Sequence, residues 1–134
     1  MKDGLTKKID RPETTDRLEE FLGRYDARLI LVSDSDVGRE IPLDRERLGL
    51  GRGPGVEVAF DDPSMSRQHA VIEFVNEGFR VRDLGSTNGI LLNGEPVQAA
   101  DIKHGDQLDI GSRRMTLVID ERSVEPDVYE LELD

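Results

Sequence analysis

Residues 69–84 read His69-Ala70-Val71-Ile72-Glu73-Phe74-Val75-Asn76-Glu77-Gly78-Phe79-Arg80-Val81-Arg82-Asp83-Leu84, and this stretch decides the fold class. Alternation in 70–75, and again in Phe79-Arg80-Val81-Arg82, has the period of a strand with one face buried and one face wet. Between the two runs, Asn76-Glu77-Gly78 supplies residues that tolerate the positive φ of a tight hairpin. Two paired strands are expected, and Asn93-Gly94 repeats the hairpin signal further on.

Working outward, the chain is a series of short runs of strand-like composition, each ended by Gly, Pro, Asn or Asp. Strands are expected at 28–33, 40–43, 47–50, 56–60, 69–75, 79–84, 90–92, 107–110 and 115–119, and none of these runs is long enough for a core helix. Short strands punctuated by turn residues predict an all-β fold, a β-sandwich of two antiparallel sheets over 28–120. Before it, residues 1–27 read as a flexible arm with a short helix. Asp16 and Glu19 have capping-box spacing, Leu18, Phe21 and Leu22 share a face, and Gly23 can end the helix after one or two turns. After it, residues 121–134 read as an acidic, solvated tail, with six acidic residues and one basic. No internal repeat is visible.

A chain of 134 residues fits one domain. With 18 Lys+Arg against 29 Asp+Glu the formal net charge is −11, so phosphate backbones and anionic membranes are repelled at long range. Nucleic acid is therefore not an expected partner, and any anion must be held by a local constellation. The absence of cysteine removes disulfides, thiolate catalysis and the commoner zinc sites. Only His69 and His104 are available as histidine ligands, so neither a metal nor another cofactor is expected. No apolar run approaches the roughly 20 residues of a membrane span, and a soluble, cytoplasmic protein without membrane insertion is expected. Two Tyr, four Phe and no Trp argue against a stacking platform for single strands.

Three loops are candidates for chemistry. Leu50-Gly51-Arg52-Gly53-Pro54-Gly55 frames an arginine with glycines, so that backbone N–H groups can approach a ligand without a Cβ in the way. Ser64-Met65-Ser66-Arg67-Gln68-His69 leads into a strand, and Asp83-Leu84-Gly85-Ser86-Thr87-Asn88-Gly89 is a turn dense in hydroxyls and amides. Arg52, Ser66, Arg67, Thr87 and Asn88 offer donors suited to an anion, and Asn88 can both donate to and accept from a peptide backbone. The residue types point to an oxyanion site beside an extended chain.

The order and spacing of these blocks resemble the forkhead-associated (FHA) domain, a phosphothreonine-reading β-sandwich. The chain has Gly51-Arg52, Ser66-Arg67-Gln68-His69, Asp83-Leu84-Gly85-Ser86-Thr87-Asn88-Gly89, Asn93-Gly94 and Gly105-Asp106 in the family's order. Carried over, the resemblance implies that Arg52 and Ser66 contact the phosphate, Arg67 adds a second charged donor and Thr87 closes the pocket. It implies that Asn88 holds the main chain of the bound peptide and that His69 pins the loop carrying Ser66. Gly51 and Gly89 are backbone necessities on this reading. Ser64 stands where some members place a basic residue that reads the peptide three residues after the phosphothreonine. The implied function is binding of phosphothreonine peptides in Ser/Thr-kinase signalling, with a phosphothreonine-containing protein and a Ser/Thr protein kinase as partners.

Glu13-Thr14-Thr15-Asp16 looks like the paired-threonine segment ahead of the domain in certain small bacterial members. The likeness makes Thr14 and Thr15 candidate phosphorylation sites whose phosphate docks in the same molecule and shuts off partner binding. A tether of about ten residues would give an effective concentration in the millimolar range.

Other readings are weaker. Ser66, His69 and Asp83 have the residue types of a hydrolytic triad, but no nucleophile elbow or glycine-rich oxyanion loop accompanies them, so no enzyme is expected. Asp61-Asp62 and Asp101/Asp106/Asp109 lack calcium-loop spacing and read as turn formers and solubilising charge. His104 reads as an exposed loop residue. The leading competitor from another class is a phosphate-independent scaffold that keeps the sandwich and uses a different face.

Overall fold

A computed structural model describes residues 13–33 and 36–122. In chain order the elements are helix α1 (Glu13–Arg24) and strands β1 (Tyr25–Leu31), β2 (Glu40–Pro42), β3 (Arg47–Gly51), β4 (Val58–Ala59), β5 (Ala70–Val75), β6 (Gly78–Asp83), β7 (Ile90–Leu92), β8 (Glu95–Val97), β9 (Ala99–Ile102), β10 (Gln107–Ile110) and β11 (Arg113–Glu121). They form a six-stranded sheet, ordered β2-β1-β11-β10-β7-β8, and a five-stranded sheet, ordered β4-β3-β5-β6-β9.

The hairpin that decides the fold is β5–β6, in register from Ala70↔Asp83 to Val75↔Gly78. Its turn is only two residues long, Asn76 at φ 52° and Glu77 at φ 65°, and Gly78 belongs to the strand. Positive φ at both positions is the twist a two-residue hairpin needs. The Glu77 carboxylate reaches Arg17 of α1 at 2.9 Å. Asn93 and Gly94 turn β7 into β8 in the same way, at φ 51° and 87°.

Alternation sorts each strand. Ala70, Ile72 and Phe74 of β5 and Phe79 and Val81 of β6 face Leu29 and Leu31 of β1, Leu108 and Ile110 of β10 and Met115 and Leu117 of β11 within one buried cluster. Removing this apolar surface from water is the main driving force for closing the two sheets.

Three differences from the sequence reading have local causes. First, the helix expected to last one or two turns spans Glu13–Arg24, and the strand expected from residue 28 starts earlier. Helix α1 runs for 12 residues, and β1 begins at Tyr25, which pairs with Glu121. Leu18 is buried, and the Phe21 ring lies 5.3 Å from Phe74 and 5.6 Å from Phe79, so packing extends a helix that its own signals would have kept short. Asp16 lies inside the helix rather than at its cap, and the helix is closed by Arg122, whose backbone and Nε donate to the carbonyls of Arg24 and Leu22. Second, the strand expected at 56–60 shrinks to Val58–Ala59, because the Glu57 carboxylate takes the Gly49 N–H at 2.5 Å. Third, β8 and β9 were not foreseen. Both are edge strands of Glu, Pro, Ala and Asp, and Pro96 is tolerated because an edge position needs no ladder donor. The expectations for residues 1–12 and for the tail at 123–134 lie outside the described residues.

The helix packs at the end of the sandwich that carries the Asn76-Glu77 turn, while His69 sits at the opposite end of β5. Among the described residues no helix is long and apolar enough to cross a membrane. Phe21→Ala should loosen the helix, costing about 2 kcal/mol in urea unfolding, since a partly buried aromatic loses both area and ring contacts. Its amides should exchange faster while those of the sheets keep their protection.

Candidate functional site

Three connections meet at the end of the sandwich away from α1: β3–β4, β4–β5 and β6–β7. The first two are joined through backbone, with Arg52 N–H donating to Ser66 O at 2.9 Å and Gly53 N–H to Arg67 O at 3.2 Å. This crossing is close enough that a Cβ on Gly51 would lie 2.0 Å from the Arg67 carbonyl oxygen. A Cβ on Gly53 would lie 2.9 Å from Arg67 Cγ. The expectation that these glycines free N–H groups for a ligand is therefore corrected. They admit the neighbouring loop, and the N–H groups of Arg52 and Gly53 are spent on it.

His69 joins the second loop to the third. It is fully buried, its Nδ1 lies 3.0 Å from Ser66 N and its Nε2 lies 2.8 Å from Gly89 O. A backbone N–H can only donate, so Nδ1 accepts and the proton sits on Nε2, which donates to the Gly89 carbonyl. The third loop is folded on Asp83, whose carboxylate accepts from the N–H groups of Gly85 and Ser86, both at 3.1 Å, and from the Ser86 hydroxyl. Ser86 Oγ in turn accepts the Gly89 N–H at 2.8 Å. Ser66, His69 and Asp83 do not form a hydrolytic triad: His69 meets Ser66 through the Ser66 backbone, and Asp83 is consumed within its own loop.

Arg52, Ser66, Arg67, Thr87 and Asn88 line a single pocket of about 300 Å³, with Pro63, Ser64 and Met65 completing it. Arg52 Nε donates to Met65 O at 3.0 Å, which fixes the guanidinium plane and leaves its two terminal nitrogens. Ser66 Oγ accepts the Thr87 N–H at 3.0 Å, so the hydroxyl proton remains for another acceptor. Asn88 Nδ2 donates to Ser64 O at 2.8 Å, which orients the amide with its oxygen still available. Gly89 adopts φ 74°, which explains a glycine there without any ligand contact. The side chains of Thr14 and Thr15 are not described.

One site residue was misread in the sequence. Asp62 is 2% exposed and is neither solubilising charge nor a simple turn former. One of its oxygens accepts from the N–H and hydroxyl of Ser64, at 3.0 and 2.7 Å. The other accepts from the N–H and hydroxyl of Ser112, both at 2.9 Å. The loop carrying Ser66 is thereby tied to the β10–β11 turn. Asp62-Pro63-Ser64 has the spacing of an Asx turn, the one local signal that could have found it. Burial alone would raise the Asp62 pKa, but the four hydrogen bonds outweigh it and hold the value at about 2.

The remaining acids behave as turn and surface groups. Asp106 accepts the Lys103 N–H at 2.8 Å, and Asp109 pairs with Arg114. His104 is exposed, with Nδ1 accepting the Ile119 N–H at 3.0 Å. Among the described residues no three His, Asp or Glu side chains converge as metal ligands.

The chain belongs to the FHA domain family, whose profile matches residues 48–111. The fold and family are those of a binding module, not of an enzyme. Over 101 residues it is 34% identical to the glycogen accumulation regulator GarA of Mycobacterium tuberculosis, covering 75% of this chain and 62% of GarA. Over 99 residues it is 31% identical to the oxoglutarate dehydrogenase inhibitor of Corynebacterium jeikeium, covering 74% of this chain and 69% of that protein. Among solved structures, the FHA domain of FhaA, complexed with the intracellular domain of Rv3910, superposes with a TM-score of 0.62. It is 30% identical and covers 68% of this chain and 98% of that one. A structure from work on phosphothreonine-dependent FHA domain interactions superposes with a TM-score of 0.63 at 29% identity, covering 69% of this chain and 95% of that one. The chain spans 61–62% of the length of the GarA relatives it matches.

The Asp62 network makes stability pH-dependent. Because the carboxylate is held from its usual 3.8 down to about 2 in the folded protein, its contribution is complete above about pH 4 and is lost as the pH falls through about 2. That contribution amounts to about 2 kcal/mol. Thermal unfolding between pH 5 and pH 2 should show this loss, and Asp62→Ala, less stable at neutral pH, should show a flatter acid limb.

Proposed function

We propose that this chain is a noncatalytic module that reads phosphothreonine peptides in Ser/Thr-kinase signalling, with Arg52, Ser66, Arg67, Thr87 and Asn88 as its contacts. The observation that carries the reading is a pattern of pairing. Among the described residues every arginine except Arg24, Arg52 and Arg67 lies within ion-pair distance of a carboxylate, and the latter two line one pocket. In a molecule of net charge −11, two guanidinium groups without acid partners beside a hydroxyl with a proton to give form a receptor for an anion.

A threonine phosphate brings about −1.5 to −2 charges and three acceptor oxygens, matching this donor set. Each hydrogen bond to a charged group is worth roughly 1.5–3 kcal/mol, so an unmodified threonine, which leaves those donors without partners, should not bind measurably. Pro63, which is exposed, is the apolar lining available to the threonine methyl, a contact worth about 0.8 kcal/mol against serine. The relatives named above support a regulatory output, and we infer that this domain acts by engaging a metabolic enzyme or a kinase rather than by chemistry of its own.

Fluorescence anisotropy with one peptide series carrying phosphothreonine, phosphoserine or threonine tests the reading. Phosphothreonine should bind tightest and threonine not at all. Arg52→Ala and Ser66→Ala should each lose at least about tenfold, one charge-assisted contact being worth that much. Equal binding by Arg52→Ala, or by the unmodified peptide, would establish the phosphate-independent scaffold instead.

Self-capture by phosphorylated Thr14 or Thr15 is the regulation we propose for this site. Both residues belong to the first turn of a helix packed at the other end of the sandwich, a strand length of roughly 20 Å from the pocket. Ten residues as helix span about 15 Å and cannot bridge that distance, whereas the same ten extended span about 33 Å. Capture therefore requires α1 to undock and unwind. Phosphorylation should lower affinity for an added phosphothreonine peptide at least tenfold and remove hydrogen-exchange protection from α1. Unchanged affinity with the helix still protected would rule self-capture out.

A further inference from the structure

Two cations outside the pocket are also unclaimed. Among the described residues Arg24 and Lys103, like Arg52 and Arg67, have no carboxylate within ion-pair distance, although the chain carries a net charge of −11. Both are exposed, and both stand at the end of the sandwich that carries α1. Arg24 is the last residue of the helix, its guanidinium 5.8 Å from the centre of the Tyr25 ring. Lys103 follows Ile102, whose cross-strand partner Phe79 touches Phe21 of the helix.

Strand β11 leaves the sandwich between them. It is flanked by β1, which Arg24 directly precedes, and by β10, which Lys103 precedes by four residues. The N–H of Arg122 donates to Arg24 O at 2.8 Å, and on the other side the Ile119 N–H donates to His104 Nδ1 at 3.0 Å. A cleft of about 210 Å³, lined by Gly23, Arg24, Tyr25, Glu121 and Arg122, opens where the strand ends.

The sequence that follows, 123–134, lies outside the described residues and carries Glu125, Asp127, Glu130, Glu132 and Asp134 with no basic residue. Glu125 comes three residues after Arg122, a reach of at most about 11 Å, and the whole segment can span at most about 40 Å. Adjoining strands are only about 5 Å apart, so both cations are within its range. The carboxylates of Asp26, Asp120 and Glu121, and of Glu19 and Glu20 on the helix, repel it from the rest of this end, while a short tether keeps its effective concentration high. An arginine in a last helical turn complements the helix carbonyls without any acid. That explanation does not extend to Lys103, which belongs to a loop.

We propose that the acidic segment 123–134 folds back across this end of the sandwich, with its carboxylates on Arg24 and Lys103, and so clamps α1 in its docked position. The contact needs nothing from the phosphothreonine pocket. Its consequence rests on the self-capture reading: a segment that holds the helix down opposes the undocking that capture requires, and thereby sets how readily the phosphorylated chain closes on itself.

The test uses the full, unphosphorylated chain. Because the sequence has no cysteine, a nitroxide attached through Leu131→Cys is the sole label. Its paramagnetic broadening should fall on the amides of Gly23–Tyr25 and Lys103–Gly105, spare those of Arg52, Ser66 and Asn88, and fade in 1 M salt, where the screening length is about 3 Å. With Glu125→Gln, Asp127→Asn, Glu130→Gln, Glu132→Gln and Asp134→Asn together, the α1 amides should exchange about two- to fivefold faster, the value of one or two exposed ion pairs. Arg24→Gln with Lys103→Gln should have the same effect in the wild-type chain and add nothing in the neutralised one. An arginine that served only the helix terminus would keep its effect there. Broadening at Arg52, Ser66 and Asn88 or at no folded residue, or two sets of substitutions whose effects simply add, overturns the clamp. Failure of the phosphorylated chain to capture itself removes the consequence alone and leaves the contact standing.

Discussion

A single buried imidazole braces two loops that are otherwise joined by the Thr87–Ser66 and Asn88–Ser64 hydrogen bonds. His69 accepts from the Ser66 backbone on one side and donates to the Gly89 carbonyl on the other, so the hydroxyl at 66 and the amide at 88 are set relative to each other by one rigid ring. Asp62 then ties the first of these loops to the β10–β11 turn, and the close approach at Gly51 ties it to β3. Loops are ordinarily the mobile part of a sandwich. Here their backbone polar groups are satisfied by buried side chains, and the donors left over are the ones that face the pocket. A site ordered before binding does not have to lose that freedom when its ligand arrives.

Electrostatics work by exhaustion rather than by overall sign. The molecule is strongly acidic, yet its exposed ion pairs, such as Arg47 and Arg82 on Glu73, are individually worth little to stability. Their larger effect is to neutralise arginines elsewhere, so that unclaimed guanidinium groups collect beside Ser66. The same logic separates the pocket, which keeps its cations free and suits an anion, from the outer face of the six-stranded sheet, where Arg114 is bound to Asp109.

Helix α1 gives the domain a second ordered end. Phe21 completes an aromatic group with Phe74, Phe79 and Tyr25, and Glu77, at the tip of the deciding hairpin, pairs with Arg17. The segment before the sandwich is therefore part of its packing, and any use of Thr14 or Thr15 at the far pocket competes with these contacts.

Much of this architecture was legible in the chain itself. The β5–β6 alternation, the two Asn-containing turns and the three donor-bearing loops are local patterns, because side-chain period and positive-φ tolerance are properties of a few consecutive residues. Arg52, Ser66, Arg67, Thr87 and Asn88 could be named from their order, and the fold brings them to one pocket. What neighbouring residues cannot express is which buried groups satisfy one another across the fold. Asp62 looked like surface charge because its partner Ser112 lies 50 positions away. The glycines around Arg52 looked like room for a ligand because the backbone they admit belongs to another loop. Helix α1 looked short because the aromatic surface that lengthens it lies on β5 and β6. Composition and period thus determined the sandwich and the kinds of donors it carries, while tertiary contacts decided which of those donors are consumed in holding the loops and which are left to meet a ligand.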